Sequence, residues 1–201
     1  KEFDAAIRAI EERNYLLLRD IISRNQGLVD YKPNNNCPLM CEFSQLVRDP
    51  LVDEFNSQVD LKAIGILLEL GADAQMAPNI VFDLMILAND HFGNEQSFPI
   101  NSGQCLPNRE ETIELVGQLI KNGARLDTVV SAPDGKEFTI AFWYTYQLCH
   151  RPYVCSSINE NVSDAVSLSV RKSITSAEIE NIEHLVEGNV LDEACVDQFL
   201  Q

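Results

Sequence analysis

Leu67-Leu68-Glu69-Leu70-Gly71-Ala72-Asp73-Ala74 is the stretch that decides the fold: an apolar run at helical spacing stops at a glycine and continues as small, polar, small. The residue after a helix's last turn commonly turns left-handed, which a Cβ penalises, so a glycine belongs there. The same run returns as Leu119-Ile120-Lys121-Asn122-Gly123-Ala124-Arg125-Leu126-Asp127. It occurs earlier as Ile21-Ile22-Ser23-Arg24-Asn25-Gln26-Gly27-Leu28-Val29-Asp30, and more loosely as Leu185-Val186-Glu187-Gly188-Asn189-Val190-Leu191-Asp192. Gly27, Gly71, Gly123 and Gly188 are unevenly spaced, yet a unit of about 33 residues with loop insertions accommodates them.

Around each glycine the apolar residues recur at helical offsets. The sets are Phe3, Ala6, Ile7, Ile10; Leu17, Leu18, Ile21, Ile22; Phe43, Leu46, Val47; and Ile64, Leu67, Leu68. Further on come Leu84, Leu87, Ala88; Ile113, Val116, Leu119, Ile120; and Ile179, Ile182, Leu185, Val186. Each set marks one face of a helix, so the pattern predicts paired short helices, and no long alternating segment argues for a sheet.

These residues resemble the ankyrin repeats, whose units run from a Thr-Pro-Leu-His-like start through two antiparallel helices to a Gly-Ala-Asp-like exit. Asn36-Cys37-Pro38-Leu39-Met40 stands at such a start, with Cys for Thr and Met for His. Leu67 to Asp73 and Ile120 to Asp127 are similar to the second helix and exit turn, and Asp134-Gly135-Lys136 with Phe138 and Ala141 looks like the opening of another unit. The chain departs from the pattern at Phe82-Asp83-Leu84-Met85, which lacks Thr and Pro, and at Gln75, where many members carry Asn. The resemblance covers residues 3 to 145 with good continuity. It implies an all-α, ankyrin-like solenoid of about four units over 1–150, with an irregular segment and a helical cap over 151–201 stacked on it. It also implies a concave face that binds protein, through inner helices and exit-turn tips.

With 201 residues, 45% of them hydrophobic, the chain has the material for a core. Mean hydropathy is −0.10. Fifteen Lys and Arg against 31 Asp and Glu leave a net charge of −16, which disfavours nucleic acid and anionic membrane and favours a partner with a basic or mixed surface. No apolar run approaches the ~20 residues that cross a bilayer. The chain opens on Lys1-Glu2-Phe3 rather than Met and reads as a fragment. Its six cysteines are too dilute for a disulfide-stapled domain and show no C-x-x-C spacing, which points to a reducing compartment. A monomer in the cytoplasm is expected, the cytoplasm being a host's if a microbe delivers the chain, as it does many divergent ankyrin proteins.

Arg48 to Gln58 and Phe92 to Arg109 read as insertions between the helices of the second and third units, because Pro50, Gly93, Pro99, Gly103 and Pro107 punctuate them. Ile140-Ala141-Phe142-Trp143-Tyr144-Thr145-Tyr146 holds the sole tryptophan, either packed under the C-terminal tail or exposed as a partner contact. Thr175-Ser176-Ala177-Glu178 reads as a capping box, and a short helix is expected from about Leu191 to Leu200. Polar positions beside the repeat signatures, namely Glu42, Gln45, Asp73, Gln75, Asp127 and Asp134, together with Trp143, are the expected partner contacts.

Catalytic patterns find little footing. Cys37-x-x-x-Cys41 with Cys149-His150 and Cys155 has the soft donors of a zinc site but no specific spacing. Cys149 and His150 diverge by about 100° on a helix, unlike a nucleophile and its base. Glu110-Glu111 is explained by the helix N-terminus ahead of Ile113. No Gly-rich phosphate loop, Ser-centred elbow or His-Glu-x-x-His run occurs. The expectation is an adaptor that is not an enzyme and uses no metal or cofactor. The alternatives are a thiol- or metal-dependent fragment built on Cys149, His150 and Cys155, and a spacer for a neighbouring domain.

Overall fold

Amphipathic runs of this length form helices wherever an oxygen-bearing side chain can satisfy the first free amides. Asn14, Asp60, Thr139, Thr175 and Asp192 each accept from a backbone N–H two or three residues into the following helix. The fold, a computed structural model, describes residues 1–32, 38–43, 46–49, 54–57, 59–90, 109–131, 135–151 and 163–201. The helices are α1 (Glu2–Glu11), α2 (Tyr15–Arg24), α3 (Leu39–Glu42), α4 (Leu61–Glu69), α5 (Ile80–Asp90), α6 (Arg109–Lys121), α7 (Ile140–Cys149), α8 (Asp164–Ser173), α9 (Ser176–Glu187) and α10 (Glu193–Leu200). Two antiparallel hairpins interrupt them, β1 (Leu46–Asp49) with β2 (Glu54–Ser57), and β3 (Val129–Ser131) with β4 (Glu137–Thr139). The described fold is predominantly helical, and none of its helices is long and apolar enough to cross a membrane.

Helices adjacent in sequence pack in pairs: α1 on α2, α3 on α4, α5 on α6 and α7 on α8. The pairs also touch each other in order, α2 on α4, α4 on α6 and α6 on α8 along one side, then α5 on α7 and α7 on α10 along the other. One buried apolar cluster runs from Phe3 in α1 to Phe199 in α10.

Four helix ends share one geometry, after α1, α4, α6 and α9. Arg13, Gly71, Gly123 and Asn189 all have positive φ, at 54°, 93°, 91° and 62°. In each turn that residue's N–H donates to the carbonyl three residues back, and the next N–H reaches the carbonyl five residues back, as Gly71 to Leu68 and Ala72 to Leu67. This is the Schellman closure of a helix. It corrects the sequence alignment at both ends. Gly27 lies inside a 3-10 turn (Gln26–Leu28), and Gly188 caps its helix at φ −72°, leaving the left-handed place to Asn189.

Two helical readings also change. Phe43, Leu46 and Val47 do not share a helix: α3 stops at Glu42 and Leu46-Val47 enters β1, with Leu46 opposite Ser57 and Val47 opposite Asn56. A three-residue apolar signature cannot separate a helix from a strand, and here pairing decides. The Arg48 to Gln58 insertion is therefore partly a hairpin. In α2, Leu18 and Ile22 are buried, while Leu17 turns outward and Leu16 is 83% exposed. Residues 92–108 of the second insertion lie outside the described residues.

The last helices are tied polar group to polar group. The capping box is present: Thr175 Oγ1 accepts from Glu178 N, and Thr175 N donates to Glu178 Oε2 at 2.8 Å. The buried Glu178 carboxylate also accepts from Thr139 N at 2.6 Å and from Thr139 Oγ1 at 3.0 Å, and Thr139 is the cap of α7. One carboxylate thus fixes the starts of two helices. Ser167 Oγ donates to Gln198 O at 2.8 Å, Asp192 N donates to Cys149 O at 2.8 Å, and Cys149 forms a disulfide with Cys195.

Candidate functional site: the exit-turn edge

After Gly71 and Gly123 the chain alternates identically. Ala72 and Ala74 are buried where Ala124 and Leu126 are, while Asp73 and Gln75 are exposed where Arg125 and Asp127 are. The inward residues anchor each turn, and the outward ones present polar groups along an edge of the molecule.

Neighbouring turns touch. Asp73 N donates to Asp30 Oδ1 at 2.9 Å, joining the Gly71 turn to the chain just past the 3-10 turn that follows α2. The Asp73 carboxylate in turn accepts from Gln75 N at 2.9 Å, which sets the short 3-10 turn Ala74–Met76. A Cβ built on Gly123 would lie 3.3 Å from Gln75 Nε2, so the second turn rests directly against the third. The third turn is held to α7 by Ile140 N donating to Thr128 O and Ala141 N to Leu126 O, both at 2.9 Å. Asp30, Asp73, Gln75 and Asp127 therefore belong to one continuous edge, with the exposed apolar side chains of Tyr31, Met76 and Val129 beside them.

The charges on this edge are not equivalent. Arg125 grips Asp127 with two hydrogen bonds, Nε to Oδ1 at 3.0 Å and a terminal nitrogen to Oδ2 at 3.2 Å. That contact holds the Asp127 carboxyl below its ordinary range and raises the Arg125 guanidinium. Asp127 is thus paired with a cation within its own turn, whereas the Asp73 carboxylate accepts from a backbone amide. Glu42 ends α3 and its side chain is not among those described; Gln45 and Asp134 lie outside the described residues.

Trp143 is not an exposed contact. It is 8% accessible, with edge-to-face packing on Phe82 of α5 at 5.9 Å, Tyr146 at 6.0 Å and Phe138 of β4 at 6.4 Å. The C-terminal tail covers a different ring of the cluster: Tyr144 meets Phe199 of α10 at 5.7 Å, and burial pushes its phenol well above the usual range. Diverging neighbours on α7 are both covered because α5 lies on one side and α10 on the other.

Cys149 and Cys195 are both buried and bonded to each other, a pairing that cysteine spacing did not reveal. Burial lowers the His150 pKa, and Cys37, Cys105 and Cys155 lie outside the described residues. No three His, Cys, Asp or Glu side chains among the described residues gather as metal donors. Compared with protein-family models, with curated proteins and with solved structures, the chain matches none.

Proposed function

We propose that the chain is a protein-interaction module, an ankyrin-like solenoid of helix pairs that binds a basic or mixed protein surface along its exit-turn edge. The observation that carries this reading is the direct contact of successive connections, Asp30 after α2 with Asp73 after α4, and Gln75 after α4 with Gly123 after α6. An edge whose connections are already fixed to one another presents its side chains with little ordering cost on binding. The net charge of −16 and the carboxylates of Asp30 and Asp73 favour a cationic partner.

The test is capture from cell lysate with the wild-type chain and with Asp73→Lys and Gln75→Lys variants. Partners that are lost in both variants support the reading. A set of captured proteins unchanged by either variant sinks it.

The thiol-enzyme alternative needs a free, activated Cys149, and the buried bond to Cys195 gives it no support. The same bond bears on location. A cytoplasmic chain keeps Cys149 and Cys195 as a buried thiol pair, whereas a disulfide belongs to an oxidising compartment. Thiol counting under denaturing conditions, on protein taken from its native source, separates the two.

A further inference from the structure

Away from the exit-turn edge, α2 and α4 leave a groove of about 540 Å³ between them. Its charge is opposite to that of the chain. Arg13, Arg19 and Lys62 line it, three of only fifteen Lys and Arg in a molecule of net charge −16. Arg19 pairs with Glu69 across the groove. Lys62 sits 4.7 Å over the ring of Tyr15, whose hydroxyl donates to Asp60 at 2.9 Å. Among the described residues neither Arg13 nor Lys62 has a carboxylate partner. Leu16, 83% exposed, stands at the rim, and Gly65 and Ile66 form the floor.

Two residues of this groove are poor choices for the fold itself. Arg13 occupies a left-handed turn at φ 54°, in the place that Gly71 and Gly123 fill elsewhere, at a cost of about 1 to 2 kcal/mol for a residue with a Cβ. Gly65 lies inside α4, where glycine costs about 1 kcal/mol relative to alanine. Packing does not require it, because a Cβ there would meet its nearest neighbour, Leu115 Cδ1, at an ordinary 4.0 Å. Arg13 carries this cost while closing α1, as Asn189 does while closing α9; what sets the groove apart is that a second unfavourable choice, Gly65, lies in the same lining.

We infer that the α2–α4 groove is a second docking site, for a short acidic peptide segment of a partner protein that carries a leucine-type side chain. The carboxylates would pair with Arg13 and Lys62, and the apolar side chain would rest on Leu16 above the floor that Gly65 keeps open. This site is independent of the exit-turn edge and attracts the opposite charge.

The test is fluorescence anisotropy with labelled short peptides that interleave Asp or Glu with Leu, against counterparts with Lys in place of the acids, together with thermal melts of each variant. The acidic peptides are expected to bind the wild type, and about tenfold more weakly to Arg13→Gly and to Lys62→Gln, the loss of one charge-assisted contact. Arg13→Gly and Gly65→Ala are expected to melt at or above the wild-type temperature, so weakened binding cannot be put down to unfolding. Asp73→Lys should leave this binding intact, which separates its failure from that of the exit-turn reading. Acidic peptides that do not bind, or bind Arg13→Gly as they bind the wild type, overturn the inference. So does competition by inorganic phosphate or by phosphatidylserine vesicles at matching charge concentration, which would make the groove a small-anion or lipid site.

Discussion

The two ends of the molecule are built differently. At the front, α1 and α2 hold to the next pair through apolar contacts, the Arg19–Glu69 ion pair and the Tyr15–Asp60 hydrogen bond, and Leu16 and Leu17 are left exposed. At the rear, α10 is fixed by a disulfide, by Ser167 to Gln198 and by Asp192 to Cys149, while α9 is anchored through the buried Glu178. Apolar stacking is tolerant of small displacements, whereas directional and covalent links fix one arrangement. The rear is thereby the more firmly fixed of the two ends, and the front the more adjustable.

The sharpest challenge to this contrast is removal of the staple. Cys149 and Cys195 are separated by 46 residues, and closing a loop of that size stabilises by about 4 kcal/mol in the chain-entropy account. Replacing both by Ala should lower the urea midpoint accordingly and raise the denaturant slope, because the uncrosslinked unfolded chain exposes more surface. A loss below about 1 kcal/mol would mean that the hydrogen bonds alone hold the rear. Glu178→Ala comes next, at about 3 kcal/mol, because it leaves the Thr139 and Thr175 amides without their acceptor inside the fold. Early loss of hydrogen-exchange protection at the start of α7 would confirm the route.

Asp83 of α5 tests the seam between the two ends. Burial raises its carboxyl to about 7, so the folded chain prefers it protonated while the unfolded chain ionises near the ordinary value of 3.8. The sign follows: stability falls as pH rises from about 4 through 7, and is flat above that. Asp83→Asn should therefore be nearly neutral at pH 4 and stabilising at pH 8, by about 2 kcal/mol after allowance for partial solvent screening. Equal melting-temperature shifts at both pH values would show that the burial of this group costs nothing. The smallest effect concerns the turns. Gly71→Ala should cost about 1 kcal/mol for its left-handed backbone, and Gly123→Ala somewhat more, because only the latter also presses on Gln75. Equal losses in chemical denaturation would argue that the second and third turns do not support each other.

What could be read along the chain was what local chemistry decides. The exits at Gly71 and Gly123, the Thr175–Glu178 box and the short last helix were legible because each is set within a few residues. The turns at Arg13 and Asn189 escaped, since a preference for glycine says nothing when the chain accepts the strain of another residue. Thr139 as the second partner of Glu178, and Cys195 as the partner of Cys149, depend on where α9 and α10 come to lie. Leu46 and Val47 were misread because two adjacent apolar residues fit either a helix or a strand until Asn56 and Ser57 pair with them. Of the expected site, Asp73, Gln75 and Asp127 fall on one edge, Trp143 belongs to the core, and Arg125's claim on Asp127 was visible only as a nearby opposite charge.

Trp143 gives the molecule a built-in optical probe. It is the only indole in the chain, wrapped in aromatic rings between α5 and α7, so its emission colour reports on that one seam. A red shift that tracks the loss of helical circular dichroism would identify a single cooperative unit. A shift that lags behind would show the front helices melting away while the stapled rear still stands.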